Sequence, residues 1–490
     1  MASTSKLSAL LSATGGRYGK LWGRGHETFS PKLRRILSVR GKGATQYLQG
    51  LVTCDLFTNP PSPRMERGWN NVPLSEEEGV DTAMIPDNEK SSMLYSACFL
   101  DPKGRIVTDA MLWKRRINEE EEEYLIDVPG DAADELLAHL KMYKLRRSKV
   151  TIGDESSCMS VHTVYGTLAD GGSPPGYIAA VDPRHPSLGM RVLNIGNDDN
   201  NTSTTTHEER TSQFASLMSD YFPPSFGTYD VIRKLAGIAE GTELTNKTPL
   251  ECNHDFLNSI SFNKGCYLGQ ELTARTNFTG VIRKRIMPCV IVDTQMEVPR
   301  PWLWASMLQE HGLDGLDERA KAALMIDEDD EEEGGAGSEI MPPLLPRLSA
   351  PGAGGLVAML SGSVLPLPDE GVAEEKKAED EYKTMEEASK FVQEISSIAG
   401  ENSKIVDTKD GRTIGKIVSS PAPGTTVLLA QMRMDRVGLL GGDNKWSRVN
   451  RILIGDSKKE LRYLPFMPLW WPDVDSETGK GKIVEEEEEN

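Results

Sequence analysis

The sequence predicts an α+β chain of several parts that finishes in a small β-barrel. Short apolar runs of strand length alternate with Gly/Pro turns through most of the first 300 residues. A few helical stretches with one apolar face are scattered among them, without the regular strand–helix alternation of a parallel sheet. Two further strand-length runs, 411–418 and 426–430, return after a long acidic interruption and are expected to complete a barrel opened by 286–292. At 490 residues the chain exceeds one ordinary core and suggests about three domains.

Residues 1–29 hold Lys6, Arg17, Lys20 and Arg24 with several Ser/Thr and no acid before Glu27, the composition of a mitochondrial transit peptide. Residues 36–39 read as a strand, followed by a Gly41-Lys42-Gly43 turn and a helix through Ala44, Tyr47, Leu48 and Leu51. That turn lacks the rest of a phosphate loop. Runs 94–99 and 106–113 on either side of Asp101-Pro102-Lys103-Gly104 read as a hairpin. Residues 124–128 are a strand, and 132–142 a helix with Leu136, Leu137 and Leu140 on one face. The basic run 143–149 closes that helix, where cations complement its dipole. Short strands fill 150–193, and a helix begins near Tyr229 and ends at Gly237.

Charge is unevenly spread over a chain of net −19. Residues 327–390 hold seventeen Asp/Glu against five Lys/Arg, and Glu485 to Glu489 add five acids, so these two pieces supply most of the excess. The folded remainder is only modestly acidic, which argues against a nucleic-acid binder. Residues 327–399 bury too little apolar surface to fold as a unit, although 381–398 carries helical spacing and is expected to dock. Proline-broken apolar runs between 344 and 367 fall short of a membrane span. The resulting division is a transit peptide (1–29), a core (30–285), a barrel (286–326 and 400–472), the acidic insert (327–399) and an acidic tail (473–490).

The six cysteines, at 54, 98, 158, 252, 266 and 289, form no C-x-x-C pair and no zinc spacing, so a reducing compartment is expected. One of them is different in kind. Cys266 lies in Asn263-Lys264-Gly265-Cys266-Tyr267-Leu268-Gly269-Gln270-Glu271-Leu272-Thr273-Ala274-Arg275, where the flanks are polar and a helix through Glu271, Leu272 and Arg275 is expected to begin at Gly269. A cysteine just before a helix N-terminus, with Lys264 two residues away, is favoured as thiolate, the form that attacks electrophiles or ligates metal. Glu271 and Arg275, four apart, are expected to pair. Glu251 and His254 near a turn read more simply as structural hydrogen-bonding groups than as an acid–base pair.

The run Lys264-Gly265-Cys266-Tyr267-Leu268-Gly269-Gln270-Glu271, with Arg275 behind it, resembles the signature of the YgfZ-type folate-binding proteins, relatives of the glycine-cleavage aminomethyltransferase (T-protein). Three other stretches agree in order: Gly43-Ala44 to Gln49-Gly50-Leu51-Val52-Thr53-Cys54-Asp55, then Asp101 to Ile106, then Arg233 with Gly237-Ile238 and Pro249-Leu250-Glu251. The resemblance covers roughly 30–292 well and 400–440 more loosely. It implies an aminomethyltransferase-like folate-binding core with the small barrel behind it, and tetrahydrofolate as cofactor. On the matching positions it implies Asp101, Arg105, Arg233 and Glu251 as folate contacts.

Aminomethyltransferases carry an Asp-Asp pair where this chain has Gly104-Arg105-Ile106-Val107-Thr108-Asp109, a single acid, and they lack the cysteine motif. The resemblance therefore points to the mitochondrial iron–sulfur assembly branch of the family. It implies a matrix protein without established turnover that helps mature [4Fe–4S] proteins of the aconitase and radical-SAM kind, acting with A-type scaffold proteins. In that reading Cys266 is a transient cluster ligand or thiol nucleophile, assisted by Lys264 and supported by Gly265, Tyr267, Gly269, Gln270, Glu271 and Arg275. The alternative is a tetrahydrofolate-dependent aminomethyl or one-carbon transferase using Asp109.

Overall fold

The computed structural model describes residues 25–60, 93–118, 120–165, 176–184, 188–196, 206–219, 224, 227–294, 390–423, 425–437, 450–465, 471 and 474–481. Most of the expected transit peptide, most of the acidic insert and the run Glu485 to Glu489 lie outside the described residues.

The elements of the first half are β1 (Gly25–Thr28), β2 (Arg34–Gly41), α1 (Ala44–Gln49), β3 (Met93–Leu100), β4 (Ile106–Arg116), β5 (Glu122–Pro129) and α2 (Ala133–Met142). β6 (Thr151–Asp154), β7 (Ser160–Tyr165), β8 (Tyr177–Val181) and β9 (Met190–Asn194) follow, then α3 (His207–Met218), α4 (Thr228–Leu235) and α5 (Gln270–Thr279). The last strands are β10 (Lys284–Asp293), β11 (Lys404–Asp407), β12 (Thr413–Ser419), β13 (Val427–Arg433), β14 (Asn450–Ile454) and β15 (Leu461–Pro465).

They assemble into a four-stranded sheet in the order β1-β7-β9-β8, a five-stranded sheet β3-β4-β5-β2-β6, and a closed barrel β10-β13-β12-β11-β14-β15. The α+β class and the C-terminal barrel agree with the expectation. The insert enters the barrel between β10 and β11, and residues 390–398 form a helix whose Phe391 and Ile395 join the core, as its spacing predicts.

Period-two alternation explains why the five-stranded sheet is buried on both faces. Leu37, Tyr95, Leu112 and Ile126 point to one side, where α1 and α2 add Leu48, Leu136 and Leu140. Their neighbours Ile36, Leu94, Met111, Trp113 and Leu125 point to the other and share a core with the barrel.

Two sets of buried charges connect these layers. Arg34 on β2 donates to Asp127 on β5 at 2.7 Å, Arg184 holds Asp182 with two nitrogens at 3.0 and 2.8 Å, and Tyr229 on α4 donates to Glu240 at 2.7 Å. Arg184 and Arg191 both donate to the Tyr229 hydroxyl at 2.7 Å. Burial alone would raise the Glu240 carboxyl, but Arg184, Arg34 and Arg233 hold it well below the usual carboxylate range. In the second set, Arg285 on β10 donates to Leu250 O, to Gly479 O and to both oxygens of Asp255 at 3.0 and 2.7 Å. Its guanidinium also stacks 3.9 Å from the Phe256 ring centre. Within the basic run 283–285, Arg285 is therefore a buried tie, while Arg283 and Lys284 are exposed.

Candidate functional site

Three stretches distant in sequence meet around Cys266. The first is the exit from α1. The ammonium of Lys264 donates to the carbonyls of Gln49, Val52 and Cys54 at 2.8, 2.7 and 2.7 Å, and the amide of Leu268 donates to Gly50 O at 3.0 Å. α1 is only six residues long and has no side chain at its C-terminal end to take its last carbonyls, so Lys264 fills that role from 215 residues away. Thr53 ties the same segment to β3 and to Ser259: Cys98 N donates to its hydroxyl at 2.9 Å, and that hydroxyl donates to Ser259 O.

The second stretch is the β3–β4 hairpin. Asp101 Oδ1 accepts the amides of Lys103 and Arg105, both at 2.8 Å, which shapes an Asx-type turn ending in Gly104 at φ +77°. The third is the entry to α5, where Gly269, also at φ +77°, caps the helix and presses on Asp101 O and Gly104. Gln270 then turns back, and its side-chain oxygen accepts the amide of Tyr267 at 3.1 Å.

Between these anchors Gly265 and Cys266 are exposed, and a Cβ on Gly265 would meet nothing within 4 Å. Cys54, Cys98, Cys252 and Cys289 are buried instead, and burial pushes Cys54 and Cys289 up to about 12. Cys158 is exposed, but its sulfur lies 3.2 Å from Glu155 O, and partial burial followed by the Glu155 carboxylate raises it. Of the six thiols, Cys266 is the exposed one in a glycine-flanked loop held from both sides.

Lys264 differs from its sequence expectation. Burial lowers its ammonium to about 8, and it spends its three donors on main-chain carbonyls while lying 4.9 Å over the Tyr267 ring. It shapes the loop, and among the described residues its hydrogen bonds go to main-chain carbonyls and not to the Cys266 sulfur. Glu271 and Arg275 both face solvent, and no ion pair joins them among the described residues. A helix with a glycine cap and buried Thr273 does not require that pair.

The four positions matched to folate contacts each have neighbours of their own, and Asp101 and Arg105 share one turn. Arg233 is closed by Glu243, at 2.8 and 2.9 Å through two nitrogens, and by Asp230 at 2.5 Å. Asp101 is engaged in its own turn, Arg105 is exposed, and Glu251 accepts the Gln431 amide at 3.2 Å beside the barrel. Sequence reasoning missed Arg191 and Asp127, and its reading of His254 as a structural hydrogen-bonding group is corrected by the structure. Arg191 Nη1, Asp127 Oδ2 and both ring nitrogens of His254 are buried without a hydrogen-bond partner. They border the buried charge set: Arg191 Nε is 3.7 Å from Asp127 Oδ2, and Arg184 helps hold His254 unprotonated, after burial, down at about 3. The signal available was weak, because Asp127 and Arg191 sit inside ordinary strand patterns. Asp109 is also buried. Its carboxylate accepts the Gly241 amide at 2.8 Å, and burial, with Glu240, raises it to about 6.

The fold and the site together define an α+β protein of two sheets and a closed barrel that presents a surface cysteine on a loop anchored through Lys264 and Leu268. No family model matches the chain. Its curated relatives are more specific. The chain is 33% identical over 267 residues to the mitochondrial iron-sulfur cluster assembly factor IBA57 homolog of Pyricularia oryzae, a match covering 54% of this chain and 57% of that protein. It is 32% identical over 278 residues to the homolog of Aspergillus oryzae, covering 52% and 55%, and 30% identical over 295 residues to that of Dictyostelium discoideum, covering 54% and 63%. The chain thus spans little more than half the length of the curated relatives it matches. Among solved structures it is similar to the glycine cleavage system aminomethyltransferase T of Bartonella henselae, with a TM-score of 0.47, 9% identity, and coverage of 96% of this chain and 91% of that one.

Proposed function

We propose that this chain is a mitochondrial iron–sulfur cluster assembly factor that assists maturation of [4Fe–4S] proteins through Cys266. The observation that carries it is the placement of Cys266: solvent-exposed, on a loop fixed by Lys264, Gly50, Gly104 and Gly269. A rigid exposed thiol suits a ligand shared briefly with another protein's cluster, since little ordering entropy is lost when the metal engages it. The thiolate is the ligating form, and Gly265 leaves room for the incoming group. The iron–sulfur cluster is cargo in this reading, passed between an A-type scaffold protein and a client in the mitochondrial matrix. The relatives named above support both the assembly role and the location.

Tetrahydrofolate is proposed to bind at the buried charge set, where Arg191, Asp127 and His254 supply the unsatisfied donors and acceptors that a pterin ring requires. When bound it would supply a one-carbon carrier or a reduced pterin. One-carbon transfer is the weaker reading, because its one acid, Asp109, is buried and already accepts Gly241 N–H.

Cluster transfer from a loaded A-type scaffold to apo-aconitase tests the main reading. Cys266→Ser is expected to abolish the stimulation by this protein while its melting temperature stays within about 1 °C of wild type, because an exposed side chain contributes little to stability. Undiminished transfer by the variant refutes it. Tetrahydrofolate titration of wild type and Asp127→Asn separately tests the cofactor.

A further inference from the structure

We propose that the segment 141–149, at the end of α2, is a docking face for an acidic protein surface, placed so that its occupant reaches the Cys266 loop. The proposal rests on the reading of Cys266 above and adds where the partner sits.

Lys141, Lys144, Arg146, Arg147 and Lys149 are all exposed, and among the described residues none of the five has a carboxylate partner. Elsewhere on the surface, cations are commonly paired: Arg35 with Asp134, Arg115 with Glu123, Arg436 with Asp410 and Lys459 with Glu394. Five unpaired cations within nine residues form a local positive field on a chain of net −19. Met142 and Leu145 stand among them 74% and 54% exposed. Apolar side chains ringed by cations have the make-up of a small protein contact, with Met and Arg at its centre.

The face is pre-formed. Residues 146–148 make a 3-10 turn ended by Lys149 in the left-handed region, at φ 49°. The carbonyls of Ser148 and Lys149 press on Gly43 and Gly41, where no larger residue would fit.

Its position relative to Cys266 follows from α1. Tyr47 donates to Leu140 O at the end of α2, while Gln49 and Gly50, two and three residues on, are the groups that Lys264 and Leu268 grip. The short helix, six residues and about 9 Å long, therefore joins the basic face, against Gly43, to the cysteine loop, at Gln49 and Gly50. An acidic protein is favoured over an anionic bilayer, which would gain only two apolar side chains, Met142 and Leu145, from this face.

The test measures binding of the full chain to a purified, cluster-loaded A-type scaffold protein at 50 and 300 mM salt, for wild type, Cys266→Ser, the reversal Lys144→Glu/Arg146→Glu/Arg147→Glu, and the milder Arg146→Gln/Arg147→Gln. Wild type is expected to bind at least tenfold more tightly at low salt, and the reversal to weaken low-salt binding tenfold or more and flatten the salt response. The neutral pair should fall between. Cys266→Ser should bind as wild type yet transfer no cluster, so a normal transfer by that variant sinks the functional reading and leaves docking standing. The docking proposal is overturned if the scaffold does not bind wild type, if both charge variants bind unchanged, or if they lose affinity for anionic vesicles or RNA while keeping it for the scaffold.

Discussion

Gly104 and Gly269 face one another across the junction of the β3–β4 hairpin and α5: a Cβ on Gly104 would sit 2.8 Å from Gly269 O, and one on Gly269 would sit 3.1 Å from Gly104 Cα. Both hold φ +77°, so each is fixed by conformation and by contact at once. Gly269→Ala is expected to destabilise the protein by about 2–4 kcal/mol and to lower cluster transfer beyond what unfolding explains. Thermal denaturation together with transfer assayed well below the melting point checks both parts.

Lys264 supplies the second prediction. Removing its ammonium leaves the carbonyls of Gln49, Val52 and Cys54 without their donor, and Lys264→Ala is expected to cost roughly 2–4 kcal/mol. Arginine should not rescue it, because a planar fork does not match three converging carbonyls reached by a point charge. Urea unfolding of the two variants decides this, and an arginine variant of wild-type stability would show that the carbonyls accept another geometry.

The main chain around the site was largely legible. The hairpin at Asp101–Gly104, the helix beginning after Gly269 and the short helix after Gly43 are local: turn residues and apolar spacing write them directly. The direction of the Lys264 side chain was not legible, since its acceptors lie more than 200 residues earlier and are main-chain atoms that carry no sequence signal. The buried set around Glu240 was hidden for the same kind of reason. Arg34, Asp127 and Arg191 look like the polar positions of half-exposed strands until two sheets close over them.

A third expectation concerns pH. His162 stacks on Phe214 with ring centres 3.9 Å apart and bonds to Thr28 and Ser160, and burial lowers it to about 3. The unfolded chain takes up a proton near pH 6.5 that the folded chain refuses until about 3, so stability falls as pH drops through that window. His162 alone accounts for about 3 kcal/mol between pH 6.5 and 4. His162→Phe should therefore flatten the fall in melting temperature over that range, and an unchanged slope would assign the acid sensitivity to other groups.

Thiol labelling gives a fourth. Two cysteines of the folded protein, Cys158 and Cys266, are exposed. Iodoacetamide at pH 7.5 is expected to modify those two and, after denaturation, all six, with mass spectrometry locating the adducts. Modification of Cys54 or Cys98 in the folded state would mean that the junction beneath the loop opens.

Arg285 finds its acceptors in segments on both sides of it, Leu250 and Asp255 before and Gly479 long after, and Thr478 O receives the amide of Ile282 just past α5. During synthesis the guanidinium thus emerges nearly two hundred residues ahead of its last acceptor. Residues up to 285 therefore hold the cysteine loop but leave the floor beneath α5 unfinished, and the reactive face is complete only once the 474–481 segment has docked.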